Sequence, residues 1–258
     1  IYASGAMTGT VVGLATAASV ALWLSSSWRG ISFIYGIPVL AVLVLWWLFA
    51  QESRVTGPVP SSELDRGPGI LLTLLRERNV QLIIVVGFLV FFLNHSVNSW
   101  LPTLLQEKGM TITQAGAWAA VAMGAGLIGQ LAVPALVSYG KRVPAMAMVV
   151  VLSSVSTIGL VVLGGPGLMV VLFISGMVRT PMMVMLTLML METREVGSRR
   201  MGAAAGLFFA ISEIGGFGGP FLVGVLRDTS GNLSMPVLIL AGIIAASLPF
   251  VLLIKERK

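Results

Sequence analysis

The chain has 258 residues and a net charge of +6, and 57% of its residues are hydrophobic while only 10% are charged. A soluble domain carries about 25% charged residues, so this composition excludes an ordinary water-soluble protein and predicts one that spans a membrane. The basic residues form no patch interleaved with aromatic side chains, which argues against nucleic-acid binding. Cysteine is absent from the sequence, which excludes disulfide bonds and thiolate metal sites.

Eight apolar segments follow one another along the chain, and each is long enough to cross a bilayer core, which needs about 20 residues. They lack the alternation of period two that is typical of strands, so each predicts an α-helix. The chain begins inside the first segment, and we therefore expect further sequence upstream. The segments are Ile1–Leu24, Ile31–Phe49, Gln81–Leu104, Ala115–Ser138, Val143–Leu163, Pro166–Met191, Met201–Leu226 and Pro236–Ile254.

The loops between these segments differ in charge from one side to the other. Three basic residues fall on one side, namely Arg29, Lys108 and Arg227. By the positive-inside rule the richer side is cytoplasmic, as is the C-terminus. The net charge of +6 is then explained by the orientation of the chain in the membrane. Attraction to anionic membrane lipid is expected as a side effect. Twelve basic residues fall on the richer side: Arg54, Arg66, Arg76, Arg78, Lys141, Arg142, Arg194, Arg199, Arg200, Lys255, Arg257 and Lys258.

One loop, Gln51–Asn79, is longer than the others and rich in Gly, Pro and Ser. Its composition predicts a flexible cytoplasmic linker, with two membrane segments before it and six after it. The end of the loop, "GILLTLLRER" (Gly69–Arg78), predicts a short helix at the membrane interface.

Small residues recur at a spacing of four in three of the segments, which lets helix backbones approach closely. We interpret these stripes as packing surfaces, with sliding of one helix against another as the alternative. They are Gly5, Gly9 and Gly13, then Gly116, Ala120 and Gly124, then Gly202 and Gly206, followed by "GGFGGP" (Gly215–Pro220) and Gly224.

Three stretches carry a resemblance to a known family. They are "SSWRGISFIYG" (Ser26–Gly36), "WLPTLLQEKGMTITQAG" (Trp100–Gly116) and "MGAAAGLFFAISEIGGFGGPFLVGVLRDTSG" (Met201–Gly231). In this order they resemble the start of the sixth helix, the loop between the seventh and eighth helices, and the eleventh helix with the turn after it in the major facilitator superfamily. "VSYGKRV" (Val137–Val143) keeps the basic residues of the family's loop after the eighth helix, but lacks its aspartate.

The resemblance implies an all-α membrane protein whose eight transmembrane helices are the fifth to twelfth of a twelve-helix, two-bundle transporter fold. Residues 1–50 would be the last two helices of the N-terminal bundle, 51–80 a cytoplasmic linker, and 81–258 the C-terminal six-helix bundle. It further implies a secondary active transporter of a small-molecule substrate, working by alternating access with the site between the bundles. We expect no cofactor, a location in the plasma membrane, and a monomer when the protein is full length. The family's antiporter Gly-Pro motif is absent from "GTVVGLATAAS" (Gly9–Ser19), which favours uptake over export.

Arg179 stands in the apolar stretch "FISGMVRTPMM" (Phe173–Met183), near the middle of the sixth segment. Arginine stays charged in proteins, and a charge at the bilayer centre costs about 2.5–3.5 kcal/mol on insertion scales. We therefore expect Arg179 to face the bundle interior or a wet cavity, with a bend in the helix at Pro181. Glu213 lies at a similar depth in the next segment and is the expected partner.

Two interpretations of this pair stay open at this point. The pair is either a permanent structural ion pair, or Arg179 binds an anionic substrate while Glu213 takes and releases a proton. Seven of the fourteen methionines fall in the same segment, which predicts a flexible, polarizable surface there.

The stretch "FLNHSVNSW" (Phe92–Trp100) places Asn94, His95 and Asn98 within one turn of a helix. We expect the three side chains to project over one side of the helix, either to bond a neighbouring helix or to line the substrate cavity. Gln130, in the fourth segment, has the same two alternatives. A metal site is not expected, because His95 is the chain's only histidine.

The sequence thus favours proton-coupled uptake of a small organic anion. The predicted substrate-binding residues are Arg179, Asn94, His95, Asn98 and Gln130, and the predicted proton-coupling residue is Glu213. An exporter of amphipathic drugs, suggested by the methionines, is the first alternative, and a receptor or scaffold that does not transport is another. An enzyme is not expected, because no catalytic metal motif or pair of intramembrane carboxylates is present.

Overall fold

The computed structural model describes residues 28–50 and 68–256, together with residues 9, 11–13, 15, 16, 20 and 23. Most of the first predicted segment and most of the linker therefore lie outside the described residues. Regular structure is helical throughout the described part of the chain. The helices are α1 (Trp28–Phe49), α2 (Pro68–Arg76), α3 (Arg78–Glu107), α4 (Ile112–Leu136), α5 (Arg142–Val162), α6 (Gly165–Arg179), α7 (Pro181–Glu192), α8 (Gly197–Ser230), α9 (Ser234–Ala245) and α10 (Leu248–Leu252).

Seven stretches of these helices are long and apolar enough to cross a membrane. They correspond to the second to eighth predicted segments; α6 and α7 share one span, and α9 and α10 share another. In the most apolar window of α3, 61% of the residues are buried, whereas none is buried in that of α1. The hydrophobic core therefore belongs to the unit formed by α2 to α10, to which α2 contributes the fully buried Leu74.

The span formed by α6 and α7 corresponds to the sixth predicted segment and is called the sixth span. It is broken at Thr180, since α6 ends at Arg179 and α7 begins at Pro181. Proline has no backbone N–H, so the carbonyl of Met177 loses the donor that a continuous helix would provide. The prediction that Pro181 bends or loosens the helix is confirmed in the form of this break. The break leaves Arg179 as the last residue of α6.

Glycines allow α3 and α8 to pack with their backbones in contact. A Cβ atom on Gly215 would overlap the carbonyl of Phe88, and one on Gly219 would overlap the carbonyl of Phe92. The stripe predicted at Gly215–Pro220 is therefore a packing surface. By contrast, Gly206, also on α8, has no neighbouring heavy atom within 4 Å of such a Cβ.

The same device joins α4 to α6. A Cβ on Gly129 would overlap the carbonyl of Met177, and one on Gly176 would overlap the carbonyl of Ala122. A Cβ on Gly126 would meet the side chain of Thr180. The glycines thus hold α4 tightly against the broken part of the sixth span.

Charged groups close one end of the unit. The carboxylate of Glu107 accepts hydrogen bonds from Nε of Arg227 at 3.1 Å and from the backbone N–H of Leu233 at 2.9 Å. Lys108 Nζ donates to the carbonyls of Val161 at 2.7 Å and Leu163 at 2.9 Å, at the end of α5. These bonds tie the ends of α3, α5 and α8 together.

A second charged network closes the opposite end, where α3 begins. Nε of Arg142 lies 3.1 Å and 3.3 Å from the two carboxylate oxygens of Glu192, and the side chain of Glu256 accepts a hydrogen bond from the N–H of Val143. Nδ2 of Asn79 donates to the backbone carbonyl of Lys255 at 2.9 Å, and Oδ1 of Asn79 accepts from the backbone N–H of Lys255 at 3.1 Å. Glu192, at the end of α7, thus supplies the carboxylate that the loop Val137–Val143 lacks.

The first prediction tests the glycine contact between α3 and α8. We expect Gly219→Ala to destabilise the protein by about 1–3 kcal/mol, because the new methyl group overlaps the carbonyl of Phe92. The matched control is Gly206→Ala on the same helix, which should be neutral or stabilising by up to about 1 kcal/mol. Thermal unfolding of the purified full-length protein measures both changes. Equal unfolding temperatures for the two variants would contradict the packing.

The second prediction concerns the two ends of the unit. Thr113 and Lys141 are both exposed, and they lie near the opposite ends of α4. We expect Lys141→Cys to react with a membrane-impermeant thiol reagent from the cytoplasmic side and Thr113→Cys from the outside, because basic residues favour the cytoplasm. Labelling in intact cells and in inverted vesicles, in a background free of other cysteines, gives the result. Reaction of both positions from one side would exclude the proposed topology.

Candidate functional site

Arg179 is enclosed by the helical unit, and only 3% of its surface is exposed. Its position at the C-terminal end of α6 is favourable for a cation, because the unpaired carbonyls of a helix end carry partial negative charge. The break at Thr180 creates this end in the middle of a membrane span. The partial negative charge of this helix end thus lies close to the charge of Arg179.

Neutral oxygen atoms accept the hydrogen bonds of the guanidinium. Nε of Arg179 donates to Oγ of Ser175 at 3.0 Å, and Nη1 donates to Oδ1 of Asn94 at 3.2 Å. Oδ1 of Asn98 accepts from both Nη1 and Nη2, each at 3.4 Å. The Asn94 amide in turn donates to the carbonyls of Arg179 at 3.4 Å and Val90 at 3.1 Å. These four side chains, Arg179, Asn94, Asn98 and Ser175, are called the Arg179 cluster below.

The expected ion pair between Arg179 and Glu213 is wrong. Among the described residues, no carboxylate oxygen lies within 4.0 Å of the Arg179 guanidinium. Glu213 instead approaches His95, with Oε2 lying 3.9 Å from Nε2. The similar depth of Arg179 and Glu213 does not bring them together. Arg179 contacts α3 at Asn94 and Asn98, whereas Glu213 contacts it at His95.

His95 is also separated from the two asparagines beside it. Asn94 and Asn98 are one turn apart and face Arg179 on α6, whereas His95 faces Glu213 on α8. At about 100° per residue, Asn94, Asn98 and His95 lie within an arc of about 100° on one side of α3. Side chains within this arc nevertheless contact two different helices.

The geometry around His95 places a proton on one ring nitrogen. Nδ1 lies 3.1 Å from the carbonyl of Phe91, which can only accept a hydrogen bond, so Nδ1 carries a proton. Nε2 is then the nitrogen that faces Glu213. The glycine at position 216 makes room for the pair, since a Cβ there would lie 2.7 Å from Nδ1 and 2.9 Å from Oε2 of Glu213. The two side chains are 45% and 59% exposed, so both lie at the surface of the helical unit.

Gln130 is buried in α4, next to the Gly129 contact with α6, but its side chain shares no hydrogen bond with the Arg179 cluster. Ser175, by contrast, belongs to the cluster and was missed from the sequence. Its spacing of four residues before Arg179 places both on one face of α6 and was the available signal.

Three of the seven methionines in the sixth span are buried inside the unit. Met182, Met185 and Met189 are at most 5% exposed. Oγ of Ser153 lies within 3.4 Å of Sδ of Met182. The expectation of a flexible methionine surface is therefore wrong for these three residues, which fill the core.

In the part of the chain that the structure describes, no group of three or more His, Cys, Asp or Glu side chains is placed to hold a metal ion. The features of the site are instead one enclosed cation bonded to amides and one half-exposed His–Glu pair, both within membrane spans.

A helical unit of this kind defines an integral membrane protein with polar groups set inside its spans. The chain belongs to the Major Facilitator Superfamily, since the model of that family matches residues 1–220. The predicted family is thus confirmed.

Individual relatives agree with this assignment at the level of the fold. The chain is 28% identical over 225 residues to an uncharacterized protein of Archaeoglobus fulgidus, covering 86% of this chain and 99% of that protein. Its fold is similar to a crystal structure of the E. coli fucose:proton symporter FucP, with a TM-score of 0.68, 18% identity, and coverage of 89% of this chain and 56% of FucP. For a structure of FucP in the outward conformation, the TM-score is 0.66, the identity 18%, and the coverage 90% and 55%. The chain thus spans little more than half the length of FucP, and the predicted all-α membrane fold is confirmed.

Proposed function

We propose that the full-length protein is a secondary active transporter that moves a small organic anion together with a proton by alternating access. Membership of the Major Facilitator Superfamily supports the transport class. The observation that carries the proposal is the enclosed Arg179, whose charge meets amide and hydroxyl oxygens but no carboxylate among the described residues. In this proposal the protein works as a monomer in the cytoplasmic membrane, with its C-terminus in the cytoplasm.

The charge of Arg179 favours an anion over a neutral solute. Taking a guanidinium out of water costs several kcal/mol, and neutral dipoles offset only part of that cost. A carboxylate or phosphate group arriving near the Arg179 cluster would complete the compensation, because opposite charges attract strongly where water is excluded. A neutral solute would gain only hydrogen bonds, so the site discriminates by charge.

The pair of His95 and Glu213 supports proton coupling. With Nδ1 donating to the Phe91 carbonyl, Nε2 of His95 and Oε2 of Glu213 face each other at 3.9 Å. A proton on either group makes it a donor toward the other, so the pair is suited to exchange a proton. FucP, whose fold is similar, is a proton symporter.

The alternative of an exporter of amphipathic drugs loses part of its support. It rested on the seven methionines of the sixth span, and three of them, Met182, Met185 and Met189, are buried in the core. Buried side chains do not offer a surface to a drug. The charged cluster at Arg179 also favours a hydrophilic anion.

The third prediction tests the anion site. We expect Arg179→Gln to weaken binding of the transported anion at least roughly tenfold, since a hydrogen bond to a charged group contributes about 1.5–3 kcal/mol. The full-length protein is first screened by thermal shift against acetate, lactate, succinate, citrate and phosphate. The anion that stabilises it most is then used in counterflow assays with liposomes.

The matched control for this experiment is Arg78→Gln, which removes the same charge from an exposed position at the start of α3. It should transport like the wild type. Normal binding and counterflow by Arg179→Gln would show that the arginine is only structural, and would overturn the proposed anion site.

The fourth prediction tests the proton site. We expect Glu213→Gln to keep counterflow exchange but to lose accumulation against a gradient, because glutamine does not release a proton. The protein should unfold at nearly the wild-type temperature, since Glu213 is half-exposed and has no partner within hydrogen-bond distance among the described residues. The exposed Glu195→Gln is the control and should still accumulate the anion. Accumulation by Glu213→Gln would place the proton site elsewhere.

A further inference from the structure

The Arg179 cluster fixes the orientation of one amide completely. A guanidinium carries only donors, so the atom of Asn98 that faces Nη1 and Nη2 must be its oxygen. The planar amide of Asn98 then directs its NH₂ group away from Arg179. A rotation that exchanged the two ends would set donor against donor at two nitrogen atoms.

The NH₂ group of Asn98 is left without a protein partner. No acceptor among the described residues takes a hydrogen bond from Nδ2 of Asn98. It is not sealed in the core either: within that part of the chain, Oγ of Ser212 is the one fully buried polar side-chain atom that lacks a partner. Asn98 itself is half-buried. Two donors are thus held in place and remain accessible.

Asn94, one turn earlier, shows the opposite arrangement. Its oxygen accepts from Nη1 of Arg179, and its NH₂ group donates to the carbonyls of Val90 and Arg179. Both ends of this amide are used inside the unit. Asn94 is therefore a structural neighbour of Arg179, and of the two asparagines only Asn98 has an NH₂ group without a partner among the described residues.

We propose that Nδ2 of Asn98 is the donor that recognises substrate, and that Arg179 acts on the substrate through it. This inference rests on the proposed transport function and deepens it. Arg179 locks the amide and withdraws electron density from its oxygen, which strengthens the N–H donors on the other end. The group recognised is an acceptor oxygen, above all that of a carboxylate, since it gains both hydrogen bonds and the nearby positive charge.

Two substitutions of Asn98 test the orientation of its amide without any ligand. Asn98→Asp keeps an oxygen toward Arg179 and adds a compensating charge, so the full-length protein should unfold at or above the wild-type temperature. Asn98→Ala removes the acceptor from both Nη atoms, and its unfolding temperature should fall by a few degrees. If Asn98→Asp loses as much stability as Asn98→Ala, the assigned orientation of the amide is wrong.

Binding of a carboxylate then tests the donor itself. The probes are radiolabelled acetate, lactate, succinate and citrate, measured on the purified full-length protein. Both Asn98→Asp and Asn98→Ala should weaken the best of them at least roughly tenfold, because both lack the two donors. Asn232→Asp, an exposed change of the same chemistry outside the site, is the control and should bind like the wild type.

The alanine variant separates recognition from simple neutralisation of Arg179. If the guanidinium itself held the anion, Asn98→Ala would bind as tightly as the wild type or more tightly, while Asn98→Asp would fail; that outcome overturns the inference. Loss of binding in Arg179→Gln together with wild-type binding in Asn98→Asp refutes the role of Asn98 and leaves the proposed function standing. Absence of binding to the wild type by all four carboxylates overturns the inference; if phosphate also fails to bind, the proposed anion site fails with it.

Discussion

The permanent charge of Arg179 is the constraint around which the unit is built. Enclosed as it is, the guanidinium needs oxygen partners on every side that water does not reach. Pro181 provides a helix end at the right depth, and Ser175 lies one turn back on the same helix. The glycine contacts of α4 with Gly176 and Met177 close the broken helix from behind. Only the side toward α3 remains, where the amides of Asn94 and Asn98 complete the set.

Helix α3 is the element that both parts of the site share. One side carries the asparagines that hold Arg179, and the adjoining residue, His95, turns toward Glu213 on α8. The close approach of α8 at Gly215 and Gly219 fixes the rotation of α3, and so fixes both partnerships at once. In the proposed transporter, binding of an anion and of a proton would therefore bear on one rigid helix. Such coupling is reciprocal, so each ligand favours the other.

The sequence predicted the features that depend on length, hydrophobicity and backbone chemistry. Apolar runs located the spans, Pro181 located the break, and the glycines before Pro220 located a close packing surface. It did not predict the partner of Arg179, because that depends on how α6 and α8 are rotated around α3. The partner of Arg142 was missed for a related reason. Glu192 comes from a distant part of the chain, and only the fold brings the two together.

The two charged networks bear on how the proposed transport cycle would proceed. Glu107 and Arg227 join α3 to α8 at one end, and Arg142 and Glu192 join α5 to α7 at the other. All four residues belong to the same helical unit, so these bonds resist opening within it. The Arg179 cluster also links α3 to α6 midway between the ends. A unit braced at three levels is suited to move as one body, which is how alternating access works in transporters built from rocking bundles. The mobile surface is then the boundary of the unit, where the donors of Asn98 and the pair of His95 and Glu213 remain accessible.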